Sequence, residues 1–574
     1  MELIIIAVAA VVAIVAVAAI SERIAVAAPL SMVVVGIALS FLPGLPKIQV
    51  DPEWILAGAL PPLLYATAVH VPAHDFRRDF KAIAGLAVPL VVLTTVCCGL
   101  LFHALLPGLG LAFAFALGAV VSPTDAVAAT SVGRRLGLPS RLLTIIEGEG
   151  LVNDASSLVL LGSAVAATTG TVHLWKVGLD FLYAVAVAIV VGLVVGYANI
   201  RIRPLLKDPV LSTAASFVIP FLAWVPAEEL NASGVLAVVV AGLVTGHLSP
   251  GVMPARDRLA ETVNWETVAF LLESGIFLLM GLELKTLLDA DAAAGLSVGQ
   301  AVGIGLAAAA LTLALRIMFI GPLVSVLRRD AGRAAAARPE LEKIHSQVTD
   351  PEVRHRYSAR RMEHLTQRLA RTMGDVDFLV SESFGWRGGV VLAWSGMRGV
   401  ITVAAAQSLP DDTPFRPQVV LIAFVVAGTT LLAQGLTLPR VIRALKIPGD
   451  DPAADRAEYA DLLADLAVQG EAVLDDPGLA RPDGRPYDGE VLDRVREAAL
   501  ARASFAEATE PDTVSPRDQY RNLMLRILAA ERAELLVARS AGRYRSRTLT
   551  RAQRALDLME ATLQQIPDLA EPGS

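Results

Sequence analysis

The stretch VVSPTDAVAAT (Val120–Thr130) decides the fold, because it interrupts an apolar segment that is otherwise long enough to cross a membrane. Pro123 removes a backbone donor and weakens the helix. The side chains of Ser122, Thr124 and Asp125 supply oxygens beside the weakened turn. An ordinary kink needs no ionised side chain, whereas a monovalent cation site needs oxygens from unwound backbone and a carboxylate together. The stretch therefore predicts a broken membrane helix beside a cation site.

The composition places the rest of the chain in a membrane as well. Of the 574 residues, 54% are hydrophobic and only 18% are charged, and the mean hydropathy is +0.57. The apolar residues form blocks of roughly 20, the length that crosses a ~30 Å hydrocarbon core as a helix, which excludes the alternation of a barrel. The fold class is an all-α polytopic membrane protein. We predict about thirteen transmembrane helices, which lie near residues 3–20, 24–42, 54–71, 82–106, 110–130, 141–169, 174–199, 210–226, 231–248, 263–288, 296–327, 386–408 and 417–445.

The loops between these helices predict an orientation. Basic loops alternate along the chain with loops that have few basic residues, and basic loops face the cytoplasm. We therefore expect a multi-pass protein of the cell inner membrane with its N-terminus outside and its C-terminus in the cytoplasm. The apolar run after Met1 has no basic residues before it and is too long for a signal peptide, so we interpret it as the first span. The basic loops contain Arg23; Arg77, Arg78 and Lys81; Arg134, Arg135 and Arg141; Arg201, Arg203 and Lys207; Arg256 and Arg258.

Two stretches are too polar to lie in the membrane. Residues 328–385 predict a basic cytoplasmic helical insertion, and residues 449–574 predict a helical cytoplasmic tail that regulates transport. Transmembrane helices 1–11 then occupy residues 1–327, and helices 12 and 13 occupy residues 386–448. The net charge of −7 is spread over loops and tail, which argues against a nucleic-acid partner. The tail has no phosphate-binding loop or metal-ligand cluster, and we predict no cofactor.

A second motif, IIEGEGLVNDASSLVLL (Ile145–Leu161), places acidic residues inside the sixth predicted span. Glu149, Asn153 and Asp154 can share one helix face because of their spacing. A carboxylate at mid-bilayer costs roughly 2.5–3.5 kcal/mol on insertion scales, so it faces protein or water and usually marks a transport path. The alternative, a capped helix end with solvated acids, conflicts with the position of Asp154 near the middle of the span.

Two further spans carry ionisable residues. Glu273 lies within NWETVAFLLESGIFLLMGLEL (Asn264–Leu284) and is either a second transport carboxylate or a fixed structural partner. Arg398 lies within VLAWSGMRGVITVAAAQ (Val391–Gln407) and is the candidate counter-charge for Glu273; satisfying helix-end carbonyls and contacting the ion are the alternatives. The fifth and twelfth spans both contain a central breaker and an ionisable residue, and they run in opposite directions. We therefore predict inverted repeats with two crossing broken helices.

With SPTDAVA, EGEGLVNDA, FLLESGIFLLMGLEL and GMRGVITVA in this order, the first 445 residues resemble the Na⁺/H⁺ exchanger family of cation:proton antiporters, in its bacterial branch with an Asn-Asp pair. The four blocks together are highly specific, although no single block is, since an Asn-Asp dipeptide or a Ser-Pro-Thr is common by chance. The resemblance implies a transporter rather than an enzyme. It also implies a homodimer that moves the ion by a rigid-body shift of a six-helix core, with a monovalent cation, a proton and the lipid bilayer as partners.

The resemblance implies roles for individual residues. Thr124 and Asp125 match the Thr-Asp of the family's broken fifth helix, which lies at the ion site. Glu149 matches the acidic residue five positions before the essential Asp. Asn153 and Asp154 match the Asn-Asp pair, in which the Asp alternately binds cation and proton. We therefore expect all five residues at the cation and proton site, with Asp154, Asp125, Glu149 and Thr124 as cation ligands.

Two positions depart from the family pattern. Relatives commonly have Ser where this chain has Gly150, and several bacterial relatives have an amide where it has Glu273. The added carboxylate could replace the lost oxygen, so the preference for Na⁺ over Li⁺ or K⁺ stays open. Arg398 follows the pattern, because it matches an Arg of the family's twelfth helix.

The expected function is secondary antiport of Na⁺ and H⁺ by alternating access, in which both ions compete for one buried Asp. Because Asn153 adds no second titrating charge, the resemblance implies electroneutral exchange. The alternatives are a K⁺/H⁺ antiporter of the same fold, a channel and a transport-inactive sensor. An intramembrane aspartyl protease needs two Asp residues that share a proton, and Asp125 and Asp154 superficially qualify. Asp154 lacks the Gly-x-Gly-Asp context of such proteases, however, and a broken helix has no role in peptide cleavage.

Overall fold

The computed structural model describes residues 2–24, 26–43, 51–168, 174–291, 297–349, 359–381, 385–449, 452–481, 483–497, 516–540 and 546–564. All regular secondary structure in these ranges is helical, as the fold class predicts. The chain divides into two compact units, Met1–Ile447 and Pro448–Ser574. Parts of the predicted insertion and tail lie outside the described residues.

The first unit contains helices α1 to α18. The first nine are α1 (Glu2–Arg23), α2 (Ala28–Ser40), α3 (Leu60–His70, after a π-helical turn over Trp54–Ala59), α4 (Ala73–Arg78), α5 (Phe80–Ala87), α6 (Pro89–Leu105), α7 (Leu111–Val120), α8 (Val127–Arg135) and α9 (Ser140–Ala166). The next nine are α10 (Leu174–Ile202), α11 (Pro209–Glu229), α12 (Gly234–Val252), α13 (Ala255–Asp291), α14 (Val298–Thr349), α15 (Ala359–Ser381), α16 (Trp386–Trp394), α17 (Val400–Gln407) and α18 (Arg416–Leu445).

Seven stretches among the described residues are helical, long and apolar enough to cross a membrane, and shorter apolar helices accompany them. The count of thirteen crossings stays a prediction. Two of the predicted spans are each split into two short helices. The fifth predicted span consists of α7 and α8, and the twelfth consists of α16 and α17. Each of these short helices is too short to cross the membrane alone. The seven stretches are Phe80–Leu105, Gly178–Leu205, Pro209–Glu229, Gly234–Val252, Ala255–Asp289, Val298–Val348 and Arg416–Leu445.

The two predicted broken helices are confirmed. Helix α7 ends at Val120 and α8 begins at Val127, on either side of Pro123. Helix α16 ends at Trp394 and α17 begins at Val400. Each break leaves backbone groups without helical partners, and these groups must be satisfied inside the protein because lipid offers no hydrogen bonds. The breaks are therefore the places where polar side chains are required.

Three apolar clusters surround the breaks. One joins residues of α2, α8, α9, α13 and α16, a second joins α6, α7, α14, α17 and α18, and a third joins α3, α11, α12 and α13. Ala129 and Met397 belong to the first cluster, and Val121 and Ala405 belong to the second. Close side-chain packing drives helix association within a bilayer. The clusters hold the four half-helices in place and leave their polar ends between them.

Within the described residues 297–349, no helix end separates the predicted insertion from the membrane span before it. Helix α14 continues from the membrane span through residue 328 to Thr349 without interruption. The segment RAAAAR (Arg333–Arg338) explains this, because Ala and Arg are strong helix formers. Helix α15 packs against α14 through a small cluster of Val348, Met362 and Leu369.

The second unit, the tail, is also helical where it is described. It contains α19 (Pro452–Leu474), helical residues 489–497, α20 (Pro516–Ser540) and α21 (Ser546–Gln564). Helices α20 and α21 are joined by Arg532, whose Nη2 donates to Asp557 Oδ1 at 2.7 Å. The pair is exposed and contributes little to stability by itself.

Candidate functional site

The two helix breaks meet at Asp125. Its backbone N–H donates to the carbonyl oxygen of Met397 at 2.7 Å. Its carboxylate Oδ1 accepts from the backbone N–H of Val127 at 2.9 Å, at the start of α8. On the facing break, a Cβ atom at Gly399 would overlap the Asp125 carboxylate. A glycine at 399 therefore lets the second break approach the first break closely.

A cavity of about 90 Å³ opens beside this meeting point. Thr124, Asp125, Asp154 and Glu273 line it with polar groups, and apolar residues of α3, α9 and α13 complete the wall. Each water needs roughly 10–15 Å³ of accessible space, so the cavity has room for a cation with several waters. None of the ion pairs found among the described residues involves these three carboxylates. The cavity is thus acidic, and these three carboxylates have no ion-pair partner in that part of the chain.

Thr124 is held in one orientation by two neighbours on α9. Asn153 Nδ2 donates to the Thr124 hydroxyl at 2.7 Å and to its carbonyl at 3.3 Å. The hydroxyl in turn donates to Glu149 Oε1 at 2.8 Å. The Oδ1 atom of Asn153 is buried without a hydrogen-bond partner in the described structure, and such an acceptor is costly unless a ligand or water meets it. Asn153 therefore couples α9 to the first break.

Glu149 has a contact that the sequence analysis missed. Arg316 of α14 donates to both of its carboxylate oxygens, with Nη2 at 2.8 Å from Oε2, and both side chains are only 2% exposed. Glu149 is absent from the residues that line the cavity in the described structure, and so is Asn153. Glu149 therefore lies behind Thr124 and does not line the cavity. This position differs from the expectation that Glu149 binds the cation directly. Its carboxylate is already matched by a guanidinium.

Arg316 also reaches the second break. Its Nε donates to the carbonyl oxygen of Leu392 at 2.8 Å, in the last turn of α16, where helical carbonyls lack partners. A Cβ atom at Gly396 would overlap the Arg316 side chain, so the glycine makes room for it. Arg316 is a lone arginine inside an apolar span, and this isolation is the sequence signal that could have identified it.

The predicted pairing of Arg398 with Glu273 is wrong. The Arg398 guanidinium instead donates to two backbone carbonyls, from Nε to Val121 at 3.3 Å and from Nη1 to Gly396. These carbonyls follow α7 and α16, and helix C-terminal ends carry partial negative charge. The backbone N–H of Arg398 donates to the Thr430 hydroxyl at 3.0 Å. Arg398 therefore neutralises the negative ends of both half-helices, which is the carbonyl alternative of the sequence analysis.

The two departures from the family pattern lie on the same cavity. Gly150 and Glu273 both line it. A Cβ atom at Gly150 would lie 2.9 Å from the Ala126 Cβ and 3.6 Å from the Thr124 carbonyl oxygen, so this position faces the first break. The cavity thus has one hydroxyl fewer and one carboxylate more than the pattern implies.

A helical bundle whose two broken helices cross at a buried, acidic cavity defines a secondary transporter of small cations. Residues 6–444 match the model of a family described as sodium/hydrogen exchanger, transmembrane. The chain belongs to this family of transporters, and it is not an enzyme.

Relatives agree with this placement. The chain is 27% identical over 570 residues to an uncharacterized Na⁺/H⁺ exchanger of Mycobacterium tuberculosis, covering 98% of this chain and 96% of the relative. It is 29% identical over 439 residues to the low-affinity Na⁺/H⁺ antiporter NhaS1 of Synechocystis, covering 76% and 72%. The fold is similar to that of the sodium proton antiporter MjNhaP1 of Methanocaldococcus jannaschii, with a TM-score of 0.53, 15% identity and coverage of 78% and 99%.

Proposed function

We propose that this protein exchanges Na⁺ for H⁺ across the membrane, with both ions competing for one buried site. Asp125 and Asp154 carry the proposal: they line one cavity where the two breaks meet, with no basic partner among the described residues. A buried carboxylate without a counter-charge is costly until a proton or a cation neutralises it. The site therefore favours occupancy by one ion or the other.

Each polar residue then has a distinct role. Asp154 is the alternating carrier, because it is only 5% exposed and lies deep within α9. Asp125 and Thr124 supply further oxygens from the first break. Glu273 is a third carboxylate that replaces the oxygen lost at Gly150.

The residues behind the cavity position these ligands. Glu149 and Asn153 hold the Thr124 hydroxyl, and Arg316 holds Glu149. Arg398 stabilises the ends of the broken helices without touching the ion. This assigns Glu149 a positioning role rather than that of a direct ligand.

The exchange is obligatory for an electrostatic reason. A site that holds a cation or protons can pass through the low-dielectric barrier, whereas an empty anionic site is disfavoured by desolvation. The protein therefore alternates between its two orientations mainly when occupied. Asn153 adds no titrating group beside Asp154, which supports electroneutral exchange of one cation for one proton.

The choice of a hard cation rests on ligand chemistry, and the choice of Na⁺ rests on the family description. The cavity offers carboxylate and hydroxyl oxygens, which suit hard cations. Na⁺ is the proposed substrate, and K⁺ or Li⁺ is the alternative that the same oxygen set admits. We also propose a homodimer in the cell inner membrane with its N-terminus outside, on the basis of the family resemblance and the alternating basic loops.

The experiment uses the full chain in proteoliposomes with a pH-sensitive dye inside. Adding NaCl, LiCl or KCl outside should alkalinise the lumen, with the strongest response to Na⁺. Clamping the membrane potential with K⁺ and valinomycin in the Na⁺ assay should leave the rate unchanged if exchange is electroneutral. Absence of cation-driven proton movement, in vesicles that contain correctly inserted protein, would refute the proposal. A response to K⁺ alone would favour the K⁺/H⁺ alternative.

A further inference from the structure

A fourth carboxylate, Glu147, lines the cavity. Glu147 contributes to the same wall as Asp154, and it lies two helical turns earlier on α9, so both side chains leave the helix on one face. Two turns span roughly 10 Å along the helix axis. The Glu147 side chain is 13% exposed. Glu147 is partly exposed whereas Asp154 is buried, so an ion that enters along this wall from the side of Glu147 reaches Glu147 first.

Glu147 has a cationic partner. Arg134 Nη2 donates to Glu147 Oε1, and the Arg134 side chain is 67% exposed. Arg134 lies in the last turn of α8, the half-helix that begins beside Asp125. The pair thus bridges α8, which begins beside Asp125, and α9, which carries Asp154.

The exposure of this pair decides what it can do. Water surrounds the Arg134 side of this pair and reaches part of Glu147, so separating the two charges costs less than in a buried pair, and a dissolved cation can compete with Arg134. The neighbouring pair of Glu149 with Arg316 is the opposite case, because both side chains are buried and separation would leave unpaired charges in a low dielectric. Of these two glutamates, Glu147 is therefore the one that can exchange its partner.

We propose that Glu147 is an entrance site for the transported cation and that Arg134 is a resident competitor for it. An incoming cation takes the Glu147 carboxylate, Arg134 turns towards solvent, and the cation then moves two turns deeper to Asp154. The pair sets the apparent affinity for the cation without taking part in the exchange at Asp154. This inference rests on the proposed function and adds an uptake step outside the main site.

The test measures the half-saturating Na⁺ concentration and the maximal rate in proteoliposomes at fixed pH and ionic strength. Glu147→Gln should raise the half-saturating concentration about fivefold and Arg134→Gln should lower it about threefold, with maximal rates within about twofold of the unmodified protein. The double variant should behave like Glu147→Gln alone, because Arg134 acts through Glu147. A purely structural pair would instead change the maximal rate or the yield of inserted protein.

Lys81→Gln is the matched control. Lys81 pairs with Asp330, and their side chains are 61% and 25% exposed, so the variant also removes one positive charge from an exposed pair. It should leave the half-saturating concentration unchanged. An equal shift in this control would assign the effect to general surface charge and overturn the inference.

Two other results would also overturn the inference. One is an unchanged half-saturating concentration in Glu147→Gln, and the other is loss of its maximal rate in correctly inserted protein. If Glu147→Gln does not insert, Arg134→Gln provides the test: a lower half-saturating Na⁺ concentration supports the inference, and an unchanged or higher one overturns it. Failure of the proposed function is distinguishable, because the unmodified protein would then show no cation-driven proton flux.

Discussion

The backbone N–H of Asp125 donates a hydrogen bond of 2.7 Å to the carbonyl oxygen of Met397, and this bond ties the two helix breaks together. Both groups lack a helical partner because each lies in a break, so each break satisfies the other. Gly399 allows this approach by leaving space for the Asp125 carboxylate. The two broken helices therefore form one unit at the proposed ion site.

Asp154→Asn should abolish exchange while leaving insertion intact. The amide cannot take up a proton and release it for a cation, and it is cheaper to bury than a carboxylate. Cation-driven proton flux in proteoliposomes measures the loss, and size-exclusion chromatography in detergent confirms the fold. Undiminished flux in this variant would contradict the role of Asp154 as the carrier.

Asp125→Asn should chiefly weaken cation binding. Interactions with charged groups contribute about 1.5–3 kcal/mol, which corresponds to an increase of about tenfold or more in the half-saturating Na⁺ concentration. The amide oxygen can still accept from Val127, so the start of α8 should be preserved. If neither apparent affinity nor maximal rate changed, Asp125 would have only a structural role.

Arg316→Gln should destabilise the protein strongly, because it leaves the Glu149 carboxylate buried and unpaired. Breaking such a pair costs roughly 3–5 kcal/mol. Adding Glu149→Gln should recover part of that loss, since the double variant has no unpaired charge. Thermal unfolding in detergent measures both effects.

Arg338→Gln serves as the control for that pair. Arg338 is half exposed in its pair with Asp377, so its replacement should change stability by less than about 1 kcal/mol. If the double variant of Arg316→Gln with Glu149→Gln were as unstable as Arg316→Gln alone, the coupling of Arg316 with Glu149 would be contradicted.

Gly399→Ala should displace Asp125 and weaken cation binding. The added methyl group overlaps the carboxylate, and such overpacking typically costs about 1–3 kcal/mol. Gly303→Ala is the matched control, because a Cβ atom there meets no atom within 4 Å. Radioactive Na⁺ uptake at several concentrations separates the two variants, and identical uptake curves would show that the second break tolerates side chains at position 399.

Truncation after residue 449 should retain exchange. All described residues that line the cavity lie between Ile55 and Ile401, so the described part of the tail contributes none of them. The expected change is a shifted pH response or a weaker dimer, measured by dye-monitored flux across a pH series and by cross-linking. Complete loss of flux in a correctly inserted truncation would make the tail part of the transport machinery.

Much of the fold and of the site could be predicted because local chemistry decides it. Pro123 in an apolar segment predicts a break wherever the helix packs, since it lacks a backbone donor. The four-residue spacing of Glu149 and Asn153 predicts that they share a face of α9, since helical periodicity does not depend on neighbours, whereas Asp154 lies on the cavity that neither of them lines in the described structure. Helix α14 continues beyond residue 327 because the Ala-rich segment favours helix, so the change from apolar to polar residues does not mark the end of the helix.

The sequence by itself determined the membrane class, the two breaks and the acidic motif, because length, hydropathy and backbone chemistry are local properties. Tertiary structure decided the partners. Arg316 pairs with Glu149, and Arg398 binds carbonyls at the breaks rather than Glu273. A buried charge must be compensated, but several distant residues offer compensation, and the choice among them depends on which helices pack together in space.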